Sequence, residues 1–341
     1  MKFIVYTTKG LELISGSEIK SKIIDTQIIE VADKRIIFKS DTNFKDLISL
    51  RTVDDLGVLI LTLENTDNIN NLVSEINRLN LNDIKKELEK FRKLSTNNFS
   101  ITTSLVGVKS FSTDDLILLL SQNIKEKYGW NFTKVDHTNF DIRVFIDHQM
   151  GCVSIRLTQE SLQHRTYKGS PKLGSLKPTI AATMIYLTTG GNKNLKIIDN
   201  FCGSGTILAE GLLMGNKVFG GDIDPESVNI TRENLSNLGY KIEDNIKHLN
   251  ALSTNWPEHG FDCAISNLPW GKQVEIKSIT LLYEGSIHEY FRLLKPDGVL
   301  CALVSKPDLF IKYIKRYKSN PKIQTFKIGL LGQNPTIILA K

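Results

Sequence analysis

Apolar positions recur along this chain in two rhythms, and the change from one to the other divides it. The first sixty residues carry short apolar runs at 2–7, 27–31, 35–38 and 57–63, separated by polar segments long enough for helices, which predicts a small α+β region. Residues 67–94 predict a helical stretch, with Ile69, Leu72, Val73 and Ile76 at helical spacing ahead of Leu79 and a run of Lys and Glu. A strand follows at FSITTSLVG and a helix at FSTDDLILLLSQNIKEKYG, opened by a cap at Ser112 or Thr113. Two strands, FDIRVFIDHQ and GCVSIRLTQ, are then expected around a turn at Met150 and Gly151. This half contains no glycine-rich nucleotide loop.

From residue 161 the texture changes. The segment SLQHRTYKGSPKLGSLKPT, broken by Gly169, Pro171, Gly174 and Pro178, predicts a basic linker over 161–180 that lies across a surface. Beyond it, strands are expected at 195–198, 217–222, 262–267 and 298–304, alternating with helices at 206–214, 225–238, 283–294 and 308–317. That alternation predicts an α/β domain with a parallel, doubly wound sheet. The closing segments KIQTFKIGL and PTIILAK, around LGQN, predict a hairpin that adds an antiparallel strand.

Composition sharpens the picture in three places. With 341 residues, 41% of them hydrophobic and 23% charged, the chain is long enough for two or more domains with real cores. No run of about 18 uncharged apolar residues occurs, and Glu12 interrupts the start where a signal peptide would be apolar, so a soluble cytoplasmic protein without a membrane partner is expected. Cys152, Cys202, Cys263 and Cys301 form no C-x-x-C pair and read as reduced packing residues, and His137, His148, His248, His259 and His288 show no metal-ligand spacing, so no metal is expected. The net charge of +6 is uneven: residues 1–150 hold 20 Lys/Arg against 21 Asp/Glu, whereas residues 151–341 hold 23 against 16. Clustered positive charge of this kind suits a polyanionic partner or a solvated lysine-rich face.

The chemistry concentrates in two motifs. KIIDNFCGSGT runs from a strand through Gly203 and Gly205 into a helix, so backbone can approach a ligand at the helix N-terminus. The next strand ends at Asp222 and Asp224, about twenty residues on, where a carboxylate can accept both hydroxyls of a ribose. Asp224 alternatively caps the helix that begins at Pro225, which leaves Asp222 for the ligand. NAD and S-adenosylmethionine both use such a loop. Position 208 is Leu, so the G-x-G-x-x-G of a dinucleotide site is absent, and Asp199 at the strand end would repel a pyrophosphate but receive a methionine ammonium. S-adenosylmethionine is therefore the expected cofactor.

The second motif, DCAISNLPWG at 262–271, ends its strand at Asn267, on the sheet edge that also carries the glycine loop. N-L-P-W resembles the N/D-P-P-Y-type motif of amino-methyltransferases, and with DNFCGSGT, GGDID and HRTYKGSPKLGSLKPTIAA the chain resembles the THUMP-containing RNA guanine-N2 methyltransferases, the archaeal and bacterial enzymes for guanosine 6 of tRNA above all. The resemblance is strong over 161–271 and weak over 1–110. It implies a ferredoxin-like region at 1–60, an RNA-binding THUMP domain at 61–160, the linker at 161–180 and a class I, Rossmann-like methyltransferase domain at 181–341.

It also implies roles. Asn267 and a carbonyl beside Pro269 would accept the two hydrogens of the guanine amine, and Trp270 would stack on the flipped base. Asp199, Phe201, Cys202, Gly203, Ser204, Gly205, Thr206, Asp222, Ile223 and Asn267 would line the cofactor, with Asn250 and Ala251 holding adenine unless Asn250 is an ordinary loop residue. Arg165, Lys168, Lys172 and Lys177 would meet RNA phosphate, although Arg165 suits a structural carboxylate equally well. Leu268 and Trp270 depart from the usual proline and tyrosine. The expected product is N2-methylguanosine in tRNA, at position 6 or 10, made by a monomer or weak dimer. Ribosomal RNA, DNA adenine or protein glutamine as substrate, and a non-catalytic RNA-binding protein, are the alternatives. A nucleotide-dependent oxidoreductase is disfavoured by Leu208.

Overall fold

The structure, a computed structural model, describes residues 1–92, 94, 97–107, 110–134, 140–148, 150–167, 169, 175–241, 243–270, 278–330 and 332–341. The chain forms two compact units, one of Met1–Thr7 with Ile19–Leu162 and one of Thr8–Glu18 with Gln163–Lys341.

The first unit is built on β1 (Lys2–Tyr6), β2 (Gln27–Ala32), β3 (Arg35–Lys39), β4 (Asp55–Glu64), β5 (Asn98–Val106), β6 (Asn131–Phe132), β7 (Phe140–Asp147) and β8 (Met150–Arg156). They form one sheet in the order β2-β3-β1-β4-β8-β7-β5-β6, with β5 parallel to β6 and β7 and the other pairs antiparallel. Strand alternation decides which side chains form the core: Phe3 and Val5 join the large apolar cluster, while Ile4 and Tyr6 pack with Phe145 and Cys152 in a smaller one. The helices α1 (Glu12–Lys22), α2 (Phe44–Ile48), α3 (Ile69–Asn77), α4 (Leu81–Leu88) and α5 (Thr113–Tyr128) contribute Ile19, Leu47, Leu72, Leu81, Leu120 and their neighbours to the large cluster.

Local chemistry explains several boundaries. Ser112 and Asp115 close a capping box at the start of α5, as the Ser112 alternative requires. The stretch at 67–94 divides into α3 and α4, because the Asn80 side chain accepts from the Asn82 and Asp83 N–H groups and starts a second helix. Met150 and Gly151 already lie in β8, since Asp147 pairs with Met150, and the chain turns at His148, whose φ is 53°. The boundary expected at residue 60 falls inside β4, so no break in the sheet separates 1–60 from 61–160.

The second unit contains α6 (Pro178–Thr189), β9 (Lys196–Asp199), α7 (Thr206–Leu213), β10 (Lys217–Asp222), α8 (Pro225–Ser236), β11 (Ile246–His248), β12 (Phe261–Asn267), α9 (Ile279–Leu293), β13 (Leu294–Val304), α10 (Pro307–Tyr317), β14 (Ile323–Lys327) and β15 (Thr336–Ala340). The order is β11-β10-β9-β12-β13-β15-β14, parallel except that β15 is antiparallel to both its neighbours. Neighbouring side chains leave opposite faces: Ile197, Ile265 and Leu303 pack with α6, while Ile198, Ala264 and Ala302 pack with α9 and α10. Two elements extend the sequence expectation. α6 begins inside the stretch assigned to the linker, and β11 is a three-residue strand too short to show a period. Leu11 and Ile14, from Thr8–Glu18, are buried in this unit's core beside Leu176, Ile180 and Ile328. Among the described residues, no helix is long and apolar enough to cross a membrane.

Candidate active site

The sheet changes winding direction between β9 and β12, and the carboxyl ends of these strands carry the two sequence motifs side by side. β9 ends at Asp199, which is buried to 1% exposure. Its Oδ1 accepts from the Phe201 N–H at 3.1 Å and from the Ser266 hydroxyl, which is itself bonded to the Tyr290 hydroxyl. Tyr290 also accepts from the Asn200 N–H at 3.1 Å. Since Ser266 gives its proton to Asp199, Tyr290 donates to Ser266, and a directed chain runs from the Asn200 backbone to the carboxylate. Burial pushes the Asp199 carboxyl up to about 7 against the bonds from Ser266 and Phe201, with the Asp222 charge adding to the rise.

The glycine loop then turns into α7. Gly203 has φ 54°, and a Cβ built on it would meet nothing within 4 Å, so open space lies against this backbone. Gly205 has φ 77° and packs so closely on α8 that a Cβ would stand 2.8 Å from Thr231 Cγ2. The Gly205 N–H donates to the Cys202 carbonyl at 2.7 Å, and Thr206 opens the helix. Ser204 Oγ lies 2.6 Å from Ser175 Oγ. Cys202 is buried, and burial first, then the Asp199 charge, raises its thiol well above the usual range, as suits a packing residue.

β10 delivers Asp222, but not as a free carboxylate. One oxygen accepts from the Gly203 N–H at 2.9 Å and the other from the Asp224 N–H at 3.0 Å, which ties the two loops together while leaving each oxygen a second lone pair. Asp224 caps α8 by accepting from the Glu226 N–H. Ile223 projects beside them at 68% exposure, an isolated apolar side chain suited to one face of a heteroaromatic ring. Past β11, the Asn250 Oδ1 accepts from the Leu252 N–H at 3.0 Å and shapes its own turn, with Ala251 buried behind it.

On β12, the Asn267 Oδ1 is buried without a hydrogen-bond partner among the described residues. Leu268 is fully buried and its N–H is held by the Leu303 carbonyl at 3.1 Å, which fixes the turn into the half-buried Pro269. Trp270 is also half-buried and rests against the α6-side core, with its Nε1 unpartnered. These groups suit an adenosine-bearing sulfonium donor: open glycine backbone, a ribose-ready carboxylate, a buried carboxyl at the strand end and a buried acceptor without a partner among the described residues.

The basic residues divide differently from expectation. Arg165 Nε bonds Glu210 Oε1 at 3.0 Å, the same oxygen accepts from Tyr167, and Glu210 is fully buried, so Arg165 makes the structural carboxylate contact that was one of its two expected roles. Its guanidinium is bound where a bare carboxylate in the core would be costly. Lys177 is half-buried and precedes Pro178 at the start of α6. Lys168 and Lys172 lie outside the described residues. Ser266, Tyr290 and Asn200 were not singled out by the motifs; the pairing of Ser266 and Tyr290 spans 24 residues and has no local signature.

Residues 165–332 match the UPF0020 family, described as an RMKL-like methyltransferase domain. A tRNA (guanine(10)-N2)-dimethyltransferase from Methanothermobacter thermautotrophicus is 47% identical over 66 residues, 19% of this chain and 19% of that protein. A tRNA (guanine(6)-N2)-methyltransferase from Methanocaldococcus jannaschii is 26% identical over 263 residues, 72% of this chain and 64% of that protein. The chain thus spans less than two thirds of the length of these curated relatives. The crystal structure of TrmN from Thermus thermophilus has the same fold, with a TM-score of 0.81 at 19% identity over 100% of this chain and 99% of that one.

Proposed function

From the premise that residues 165–332 are a methyltransferase domain of the RMKL-like family, we propose that the protein methylates the exocyclic N2 of a guanosine in tRNA, with S-adenosylmethionine as donor. The observation that carries this reading is the Asn267 Oδ1, buried with no partner among the described residues, on the sheet edge that also carries the open Gly203 backbone. The names of the two curated relatives, both guanine-N2 enzymes of tRNA, support the substrate class. When bound, the donor supplies an electrophilic methyl group on sulfur.

The chain's own residues would supply position. Guanine N2 is a poor nucleophile because its lone pair is delocalised into the ring. Asn267 Oδ1 accepts one amine hydrogen and a carbonyl beside Pro269 the other, which turns the lone pair towards the methyl group. Orientation of this kind lowers the barrier without a strong general base. Trp270 bounds the base pocket from the apolar side, while Asp222, Ile223, Asn250 and Ala251 receive the adenosine. Residues 61–160 act as a THUMP-type RNA-gripping region, with Lys168, Lys172 and Lys177 adding phosphate contacts, in a cytoplasmic monomer or weak dimer.

Incubation with labelled donor and an unmodified tRNA pool should yield N2-methylguanosine. N6-methyladenosine, or label on protein alone, would overturn the guanine assignment, and label in ribosomal RNA alone would move the substrate. Asn267→Ala should lower turnover roughly 100- to 1,000-fold, the range for loss of one preorganised hydrogen-bonding group, while calorimetric donor binding stays within a few-fold.

A further inference from the structure

Residues 301–341 hold eight Lys/Arg against a single acidic residue, Asp308, and no role described so far uses them. The fold gathers five of these cations on one side of the second unit. α10 buries Phe310, Tyr313 and Ile314, which leaves Lys312, Lys315 and Arg316, at spacings of three and four residues, together on its exposed face. Lys318 caps the end of the helix and holds its Nζ 5.6 Å from the centre of the Phe291 ring. On β14, Ile323 packs into the same apolar cluster as α10, so strand alternation sends Thr325 and the exposed Lys327 out on that side as well. Rings steady the helix end: Tyr317 stacks on Phe291 at 5.3 Å and 12°, and His288 stands nearly perpendicular to Tyr317 at 5.4 Å.

Like charges three and four residues apart on a helix repel one another, and little in the surroundings relieves it. Among the described residues, Arg316 has one carboxylate in reach, Glu284 at 3.9 Å with both side chains largely exposed, and Lys312, Lys315 and Lys327 have none. The last turn of a helix favours cations, which accounts for Lys315 and Arg316. It does not account for Lys312, or for Lys327 on a separate strand. We propose that the α10–β14 face binds the phosphate backbone of the RNA substrate, away from the nucleotide that is methylated. The inference rests on the tRNA reading above and deepens it by naming a second surface for that partner. β12 and β13 are parallel with Asn267 opposite Leu303, so α10 starts from the reacting edge and runs back from it over 11 residues, about 16 Å. An RNA strand followed from Lys312 to Lys318 therefore leads away from the transfer site, as a large folded RNA can and a single nucleotide cannot. Such contacts fix the position of the substrate without reading its bases. A lipid surface fits less well, because it would take up the apolar side of α10, which is already packed against β15.

The test combines Lys312→Gln, Lys315→Gln and Lys327→Gln in the full chain and compares them with a control carrying Lys193→Gln, Lys217→Gln and Lys241→Gln, exposed lysines elsewhere in the unit. Both variants lose the same charge. Affinity for an unmodified tRNA is measured across a salt series, and the thermal midpoint reports that each variant is folded. The α10–β14 variant should bind tRNA about tenfold or more weakly at about 0.1 M salt and lower the slope of log affinity against log salt by about two to three, while the control changes both by less than about half as much. Should the triple variant unfold, Lys312→Gln alone carries the test, with a slope change of about one. Equal losses in the two triple variants would mean that net charge, not this face, attracts RNA. Unchanged affinity and slope would mean a solvated lysine face, and lost binding to phosphatidylserine vesicles with tRNA affinity intact would give the face to a lipid surface; each of these overturns the proposal. Failure of the unsubstituted chain to bind tRNA at any salt would overturn the tRNA reading itself, and this face with it.

Discussion

Asp199 couples the site to pH. Its carboxyl sits at about 7 in the folded protein, chiefly through burial, against about 3.9 in an unfolded chain. The folded state therefore holds the proton more tightly. Its contribution to stability is complete below about pH 4 and is lost progressively as pH rises through 7. Asp199→Asn should flatten the pH dependence of the thermal midpoint between pH 4 and 7 and gain most, relative to the unsubstituted chain, near pH 8. Parallel midpoint curves for the two proteins would show that Asp199 does not titrate there. At this scale the motifs made much of the site legible: Asp199, Gly203, Gly205, Asp222 and Asn267 announce themselves by spacing along a few residues. Ser266, Tyr290 and Asn200 do not, because their meaning lies in partners on other elements. Arg165 reads equally as a phosphate or a structural-carboxylate contact, and only the fold shows the carboxylate, Glu210, 45 residues away.

At the scale of elements, the glycine loop depends on how α7 meets α8. Gly205 combines φ 77° with the close approach of Thr231, whose hydroxyl donates to the Gly203 carbonyl at 2.8 Å. Gly205→Ala should cost about 1–3 kcal/mol through backbone strain alone, with the Thr231 clash in addition, and should weaken donor binding. Urea midpoints and calorimetry check this; a variant as stable as the parent would mean that the loop relaxes freely. Elements with strong caps and periods were readable in advance, such as α5 behind Ser112 and the β14–β15 hairpin. β11, with three residues, offers no periodicity, and α6 is buried all round, so its apolar positions carry no stripe. The division of 67–94 turns on a single capping side chain, Asn80.

Across the molecule, the excess of basic charge beyond residue 150 places the stronger electrostatic pull on a polyanion in the segment that also matches the methyltransferase family. The charge imbalance was countable from sequence, but the membership of Thr8–Glu18 in the second unit was not, since nothing local distinguishes Leu11 and Ile14 from core residues of the first. Leu11→Ala should cost about 2–5 kcal/mol, the usual range for a buried leucine. Faster amide exchange is expected in α6 and β15, far along the sequence, while β1 and β3 stay protected. The opposite distribution would place Leu11 in the first unit's core.

Residues 8–18 also set a timetable. The core they complete includes Ile328 and Ile337, made some three hundred residues after them. At about 5–20 residues per second that wait is roughly 15–60 s. Until Leu176 and Ile180 are made, Leu11 and Ile14 have none of the partners of this core, and until Ile328 and Ile337 follow, the core around them is incomplete. The β14–β15 hairpin is therefore needed to finish the core that covers the start of α1, and synthesis that stops before it should leave a product prone to chaperone capture.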